Sequence, residues 1–117
     1  MVLNTKISSA LFDFVQPILD ETDENTTKEQ IEKGIEFVVG VWNAVVIDSL
    51  NKNNQYTNAI RHMASRPEDK ALIERFIDRK NNKFSHDLRM IADFNINYED
   101  GYLHIQAKGA IDDRLVN

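Results

Sequence analysis

The sequence predicts an α+β fold: a small bundle of about four helices carrying a C-terminal two-stranded antiparallel β-hairpin, in a single domain of residues 1–117. Three observations predict it. Residues 94–107 alternate apolar and polar about Asp100-Gly101. Upstream, apolar residues recur at helical spacing. Between those segments lie polar breaks and helix-start signals.

The first helix is predicted from about Thr5 to Leu19, with Ile7, Leu11, Phe14, Val15 and Ile18 on one stripe. Pro17 lies near its end, where a proline kinks or terminates a helix. Asp20 to Thr26 reads as an acidic linker. Its carboxylates resemble a calcium loop only superficially. Counting from Asp20, Asn25 and Ile31 stand where an EF-hand needs glycine and glutamate.

Thr27-Lys28-Glu29-Gln30 has capping-box spacing and opens a second helix that runs to about Leu50. Its main stripe is Ile31, Ile35, Val38, Trp42, Val45 and Val46. The reverse side, with Phe37, Gly40, Val41 and Ala44, is apolar as well. A helix apolar almost all round is enclosed on more than one side. It is either the central helix of the fold or a helix whose second face meets a partner.

A short third helix follows the polar break Asn51-Lys52-Asn53-Asn54, from about Gln55 to Ala64, with Tyr56, Ala59, Ile60 and Met63 facing inward. Ser65-Arg66-Pro67-Glu68 joins capping-box spacing to a proline at the first helical position. The fourth helix is predicted over 67–92, because Ile73, Ile77, Phe84, Leu88 and Ile91 keep helical phase despite Asn81-Asn82.

Asp100-Gly101 is the usual content of a type I′ turn, since both positions need positive φ. That turn pairs Glu99 with Tyr102, Tyr98 with Leu103, Ile96 with Ile105 and Phe94 with Ala107. Phe94, Ile96, Tyr98, Leu103, Ile105 and Ala107 then share a dry face, which a one-residue slip would scramble. A lone hairpin is marginal in water, so this face is expected on helices two and four. The tail from Gly109 either docks through Ile111 and Leu115 or frays.

Bulk properties exclude several classes. The chain of 117 residues has a net charge of −5, 42% hydrophobic residues and no cysteine. Disulfides and thiolate metal sites are thereby excluded, and general nucleic-acid binding is disfavoured. The N-terminus lacks the pattern of a signal peptide. The most apolar run, Ile35 to Ile47, falls short of the ~20 residues of a membrane crossing. A cytoplasmic protein with no membrane partner is expected. Charge is uneven: residues 1–50 carry nine acids against three bases, and residues 51–93 nine bases against six acids.

Catalytic signatures are absent. Ser85-His86-Asp87 cannot act as a triad on a helix, because consecutive side chains diverge by about 100°. No serine sits in a Gly-x-Ser-x-Gly elbow. His62, His86 and His104 share no metal-ligand spacing, and the four glycines form no phosphate cradle. No cofactor and no metal are expected.

Three sets of residues remain as candidates. Lys80 and Asp87 flank Phe84 on the inward side of the fourth helix, with Asn81 at the margin. With Asp48 they would make a polar pocket between helices two and four, if they are not simply paired within the core. Phe37, Gly40, Val41 and Ala44 are candidates for an interface. Arg75, Arg79, Lys83 and Arg89, with His86, form a basic outward face on the fourth helix. It lacks the interleaved aromatics of a nucleic-acid surface and could instead match the acidic N-terminal half of a second copy.

Val41-Trp42-Asn43-Ala44, the segment Ile73 to Lys80 with Phe84, Asp87-Leu88-Arg89 and Asp93 together resemble a group of small bacterial proteins of unassigned function. The resemblance covers about Pro17 to Ala107 and implies a bacterial, cytoplasmic setting, but no functional residue. The expected function is that of a non-enzymatic interaction protein, an adaptor, regulator or immunity-type inhibitor, acting as a homodimer. The alternatives are a small-ligand protein or enzyme built on Lys80, Asp87 and Asp48, and nucleic-acid contact through the basic face.

Overall fold

The computed structural model describes residues 6–111, in which helices precede a two-stranded antiparallel sheet, the predicted α+β arrangement. The helices are α1 (Ile7–Phe14), α2 (Gln16–Asp20), α3 (Lys28–Asn51), α4 (Gln55–Met63) and α5 (Pro67–Lys83). The strands are β1 (Met90–Glu99) and β2 (Tyr102–Ala110). Residues 37–88 make one compact unit; the segments before and after them make another, and α3 runs through both.

In the unit formed by the two chain ends, the predicted first helix is two. α1 stops at Val15, and Pro17 lies in the first turn of α2. Proline has no N–H to extend the ladder of α1, and its ring crowds the carbonyl four residues back. Ala10, Leu11, Phe14 and Val15 are buried there. The acidic linker folds as a turn in which Asp23 Oδ1 accepts hydrogen bonds from the Asn25 N–H and the Thr26 hydroxyl. α3 then opens on the expected capping box: the Thr27 N–H donates to Gln30 Oε1 at 2.9 Å, and the Gln30 N–H to Thr27 Oγ1 at 3.1 Å.

The hairpin has the predicted register at every position from Phe94↔Ala107 to Glu99↔Tyr102. Asp100 (φ 53°) and Gly101 (φ 81°) take the left-handed conformations that the type I′ turn requires. Ile96 and Ile105 are buried and Asn95, Asn97 and Glu99 exposed, but of the other predicted dry-face residues Phe94, Leu103 and Ala107 are half-buried and Tyr98, near the turn, is 41% exposed. The pairing continues beyond the predicted strands to Met90↔Ala110, across a bulge between Ile91 and Asp93. β2 lies along α1, a neighbour the sequence did not identify. The Ser8 hydroxyl accepts the Ala107 N–H at 2.8 Å and donates to the Ala107 carbonyl at 3.3 Å. Where α3 begins, the Lys28 ammonium sits 5.6 Å from the centroid of the Tyr98 ring.

In the other unit, α3 buries Val38, Val41, Trp42, Ala44, Val45 and Val46. By length and composition α3 contains an 18-residue stretch apolar enough to cross a membrane, longer than the run Ile35 to Ile47. Half of that stretch is buried within the protein, as in the central helix of a globular unit.

α4 is rotated from expectation, with Ile60 alone of the four predicted inward residues half-buried. Thr57 is buried, whereas Tyr56, Ala59 and Met63 are exposed. α5 begins at Pro67 as predicted, but Arg66 rather than Ser65 is its N-cap residue, without a side-chain cap. The Arg66 guanidinium instead reaches forward to Asp69 at 2.9 Å.

α5 buries Ile73, Phe76, Ile77 and Lys80 and ends at Lys83, nine residues before the predicted end at Ala92. Leu88 and Ile91 fit a helical period but are not helical, and Ile91 belongs to β1. Ile111 is exposed; Leu115, the other expected docking residue, lies outside the described residues.

Candidate functional site

The polar groups that face inward in the 37–88 unit fall into two clusters. The first is centred on Lys80, which α5 carries on its buried face. The Lys80 side chain is 1% exposed. Its ammonium donates to the carbonyl of Phe84 at 2.7 Å and to that of Asp87 at 2.8 Å, and lies 4.4 Å from the centre of the Trp42 ring. Trp42 and Phe84 meet at 5.5 Å between centroids, tilted by 56°. Lys80 thus fastens the turn that follows α5, where carbonyls have no helical partner.

Burial pushes the Lys80 ammonium down to about 8, and the nearby Asp87 carboxylate opposes that shift. Asp87 is buried beside it. A lysine held by two carbonyls and an aromatic face has no exposed lone pair with which to attack or abstract. Of the two roles the sequence leaves open for Lys80, pairing within the core is the one that these contacts serve.

The second cluster is built on Asp48, a buried residue of α3. Its Oδ1 accepts the Tyr56 N–H at 3.0 Å, and its Oδ2 accepts the Thr57 N–H at 2.9 Å and the Thr57 hydroxyl at 2.7 Å. These N–H groups belong to the first turn of α4, whose own N-cap residue, Asn54, makes no side-chain cap. Asp48 therefore does the work of an N-cap from another helix, with its negative charge at the positive end of the α4 dipole.

Asp48 and Asn81 border one open pocket of about 320 Å³ that Thr57, Arg61 and Lys52 also line. Lys80 and Asp87 do not line it, so the four predicted pocket residues divide between two places. Within the pocket wall, Arg61 is engaged: Nε and Nη2 grip Glu74 at 2.7 and 2.9 Å, and Nη1 donates to Asn58 at 2.9 Å. Those hydrogen bonds hold the Glu74 carboxyl below its usual range.

The predicted basic face is interrupted. Arg75, Arg79 and Lys83 lie on α5, but His86 and Arg89 follow its end and share no helix face with them. Arg79 and Lys83 approach the Phe84 ring at 5.7 and 5.8 Å, where cations lie favourably over the π face.

The predicted interface residues also divide. Val41 and Ala44 are core. Phe37 is 37% exposed, and Gly40 has open space where a side chain would start. Sequence reasoning overlooked Thr57 as a core residue and the exposed flank of α4, where Met63 is 82% exposed. A polar residue in an apolar stripe shortly before a break, as Asp48 is, was the available signal for the cap. Among the described residues no group of His, Asp and Glu gathers as a metal ion would require.

Comparison of the chain with models of protein families, with curated proteins and with solved structures finds no match.

Proposed function

We propose that this chain is a non-enzymatic interaction protein that works through contact with another polypeptide, and that a second copy of itself is its first partner. One observation carries the reading. Tyr56, Ala59, Ile60 and Met63 form an amphipathic stripe on α4, yet Tyr56, Ala59 and Met63 are exposed. Local pattern and tertiary placement disagree there, and such disagreements concentrate at functional surfaces. The polar side chains that could have done chemistry are instead committed to holding α4 and the end of α5.

A second copy suits the charge distribution. The unit made by the chain ends carries thirteen acids against six bases, and residues 37–88 carry eight bases against six acids. Unlike net charge on the two units favours association between copies, and a two-fold contact is the usual form of such association. Sedimentation velocity over a range of concentrations tests this. Self-association in the native chain, weakened by Met63→Glu or Phe37→Glu, supports the proposal; a monomer at every concentration removes it.

A second reading, a small polar ligand in the pocket beside Asp48, has the volume of about 320 Å³ in its favour. Arg61, its best anion-binding group, is already engaged by Glu74.

A further inference from the structure

We propose that self-association pairs two different surfaces: the exposed flank of α4 in one copy docks on α3 of a second copy, with Met63 seated over Gly40 beside Phe37. This rests on the reading that the chain associates with itself, and it names the surfaces that meet.

The α3 side is built from residues that share one face of a helix. Phe37 and Gly40 stand three apart, and Glu36 and Gly40 four apart, so both flank Gly40. Glu29 lies two turns before Glu36 on the same side. Phe37 is 37% exposed, and Glu29, Glu36 and Gly40 are exposed as well. A side chain added at Gly40 would start in open space, with no neighbouring side chain within 4 Å. Glycine inside a helix is destabilising relative to alanine. Neither a positive φ nor close packing within the chain calls for it here. What Gly40 leaves is a gap in the helix surface with Phe37 as its apolar neighbour.

The α4 side carries a residue of matching chemistry. Met63 is 82% exposed, with Ala59 one turn before it and Tyr56 two turns before, both exposed. A methionine side chain is unbranched and adaptable, and its thioether makes favourable contacts with aromatic rings. It suits a gap beside a phenylalanine. Ala59, with only a methyl group, lets a second helix come close.

Charge selects this pairing over the two symmetrical ones. Residues 20–36 hold seven acids against two bases, whereas residues 49–67 hold three bases and no acid. Arg61 and Arg66 are shared with Glu74 and Asp69, and Lys52 is the exposed third. α4 against α4 would join two acid-free segments, and α3 against α3 two acidic ones. Only α4 against α3 joins unlike charge, and complementarity of that kind suppresses the wrong pairings. In a two-fold pair the contact is made twice, once from each copy.

The chain contains no cysteine, so single introduced thiols report the contact. Full-length Met63→Cys and Gly40→Cys chains are mixed under mild oxidation, and the disulfide-linked products are told apart by intact mass. The proposal expects the mixed product to form at least about tenfold faster than the product of either variant alone, because a disulfide needs the two positions within reach. Gly40→Gln puts a longer side chain into the gap without touching its own chain. It should weaken self-association at least about tenfold in sedimentation, with unchanged helical content by circular dichroism.

Linkage as fast between identical variants, or a Gly40→Gln chain that associates like the native one, would overturn the proposal. A native chain that sediments as a monomer removes self-association and this pairing together. A dimer linked fastest between two Met63→Cys chains removes the pairing alone.

Discussion

The carboxylate Oδ2 of Asp48 lies 2.7 Å from the hydroxyl of Thr57 and 2.9 Å from its backbone nitrogen. One side chain on α3 thereby fixes where α4 starts and which way it faces. Thr57 faces inward to meet Asp48, while Tyr56 and Ala59 face solvent and Ile60 is half-buried. Met63, at the far end of α4, is exposed.

Asp48→Ala should destabilise the protein by about 2–3 kcal/mol, because two helix N–H groups and a hydroxyl lose a charged acceptor. Thr57→Val removes only the hydroxyl bond and should cost about 1 kcal/mol. Urea unfolding measures both. In the double variant the two losses should fall short of additive, since they share one bond.

Lys80 predicts a pH dependence of known sign. Its folded-state value of about 8 lies below the ordinary 10.5. Below about pH 8 both folded and unfolded chains hold the proton, and the folded state bears the cost of the buried charge. From about 8 to about 10.5 the folded chain has released the proton and the unfolded chain has not, so stability rises with pH. The rise is on the order of 3 kcal/mol at most. Unfolding curves across this range should show it in the native protein and lose it in Lys80→Met. A Lys80→Met variant with the native pH profile would contradict the assignment.

Gly101 has φ 81° and open space around it, so a side chain there meets strain without a clash. Gly101→Ala should cost about 1–2 kcal/mol from the left-handed conformation alone. Asp100→Asn keeps a residue suited to positive φ and should be near neutral. Ser8→Ala should cost about 1–2 kcal/mol by leaving the Ala107 N–H without its acceptor. Thermal melts of the three variants give the order.

The hairpin was legible in the sequence because turn chemistry and alternation specify the same register, and both are local. The start of α3 was legible for the same reason: Thr27 and Gln30 sit three residues apart. The end of α5 was not. Phe84, Leu88 and Ile91 keep a helical period whether or not they are helical, and what stops the helix is the Lys80 ammonium collecting the carbonyls of Phe84 and Asp87. Likewise Ser65 offers a capping box that Arg66 supplants. Lys80, Asp87 and Asp48 were singled out correctly as inward polar groups. Their partition into two structural clusters depends on contacts seven to nine residues apart, which no short pattern encodes.

The account turns on the apolar flank of α4 meeting another protein surface, and the methyl group of Met63 reports on it directly. Its proton–carbon NMR signal should shift and broaden as the concentration of the native chain is raised, and change less in Phe37→Glu. A sharp, unmoved Met63 methyl signal at every concentration, with the diffusion rate of a single chain, would contradict it.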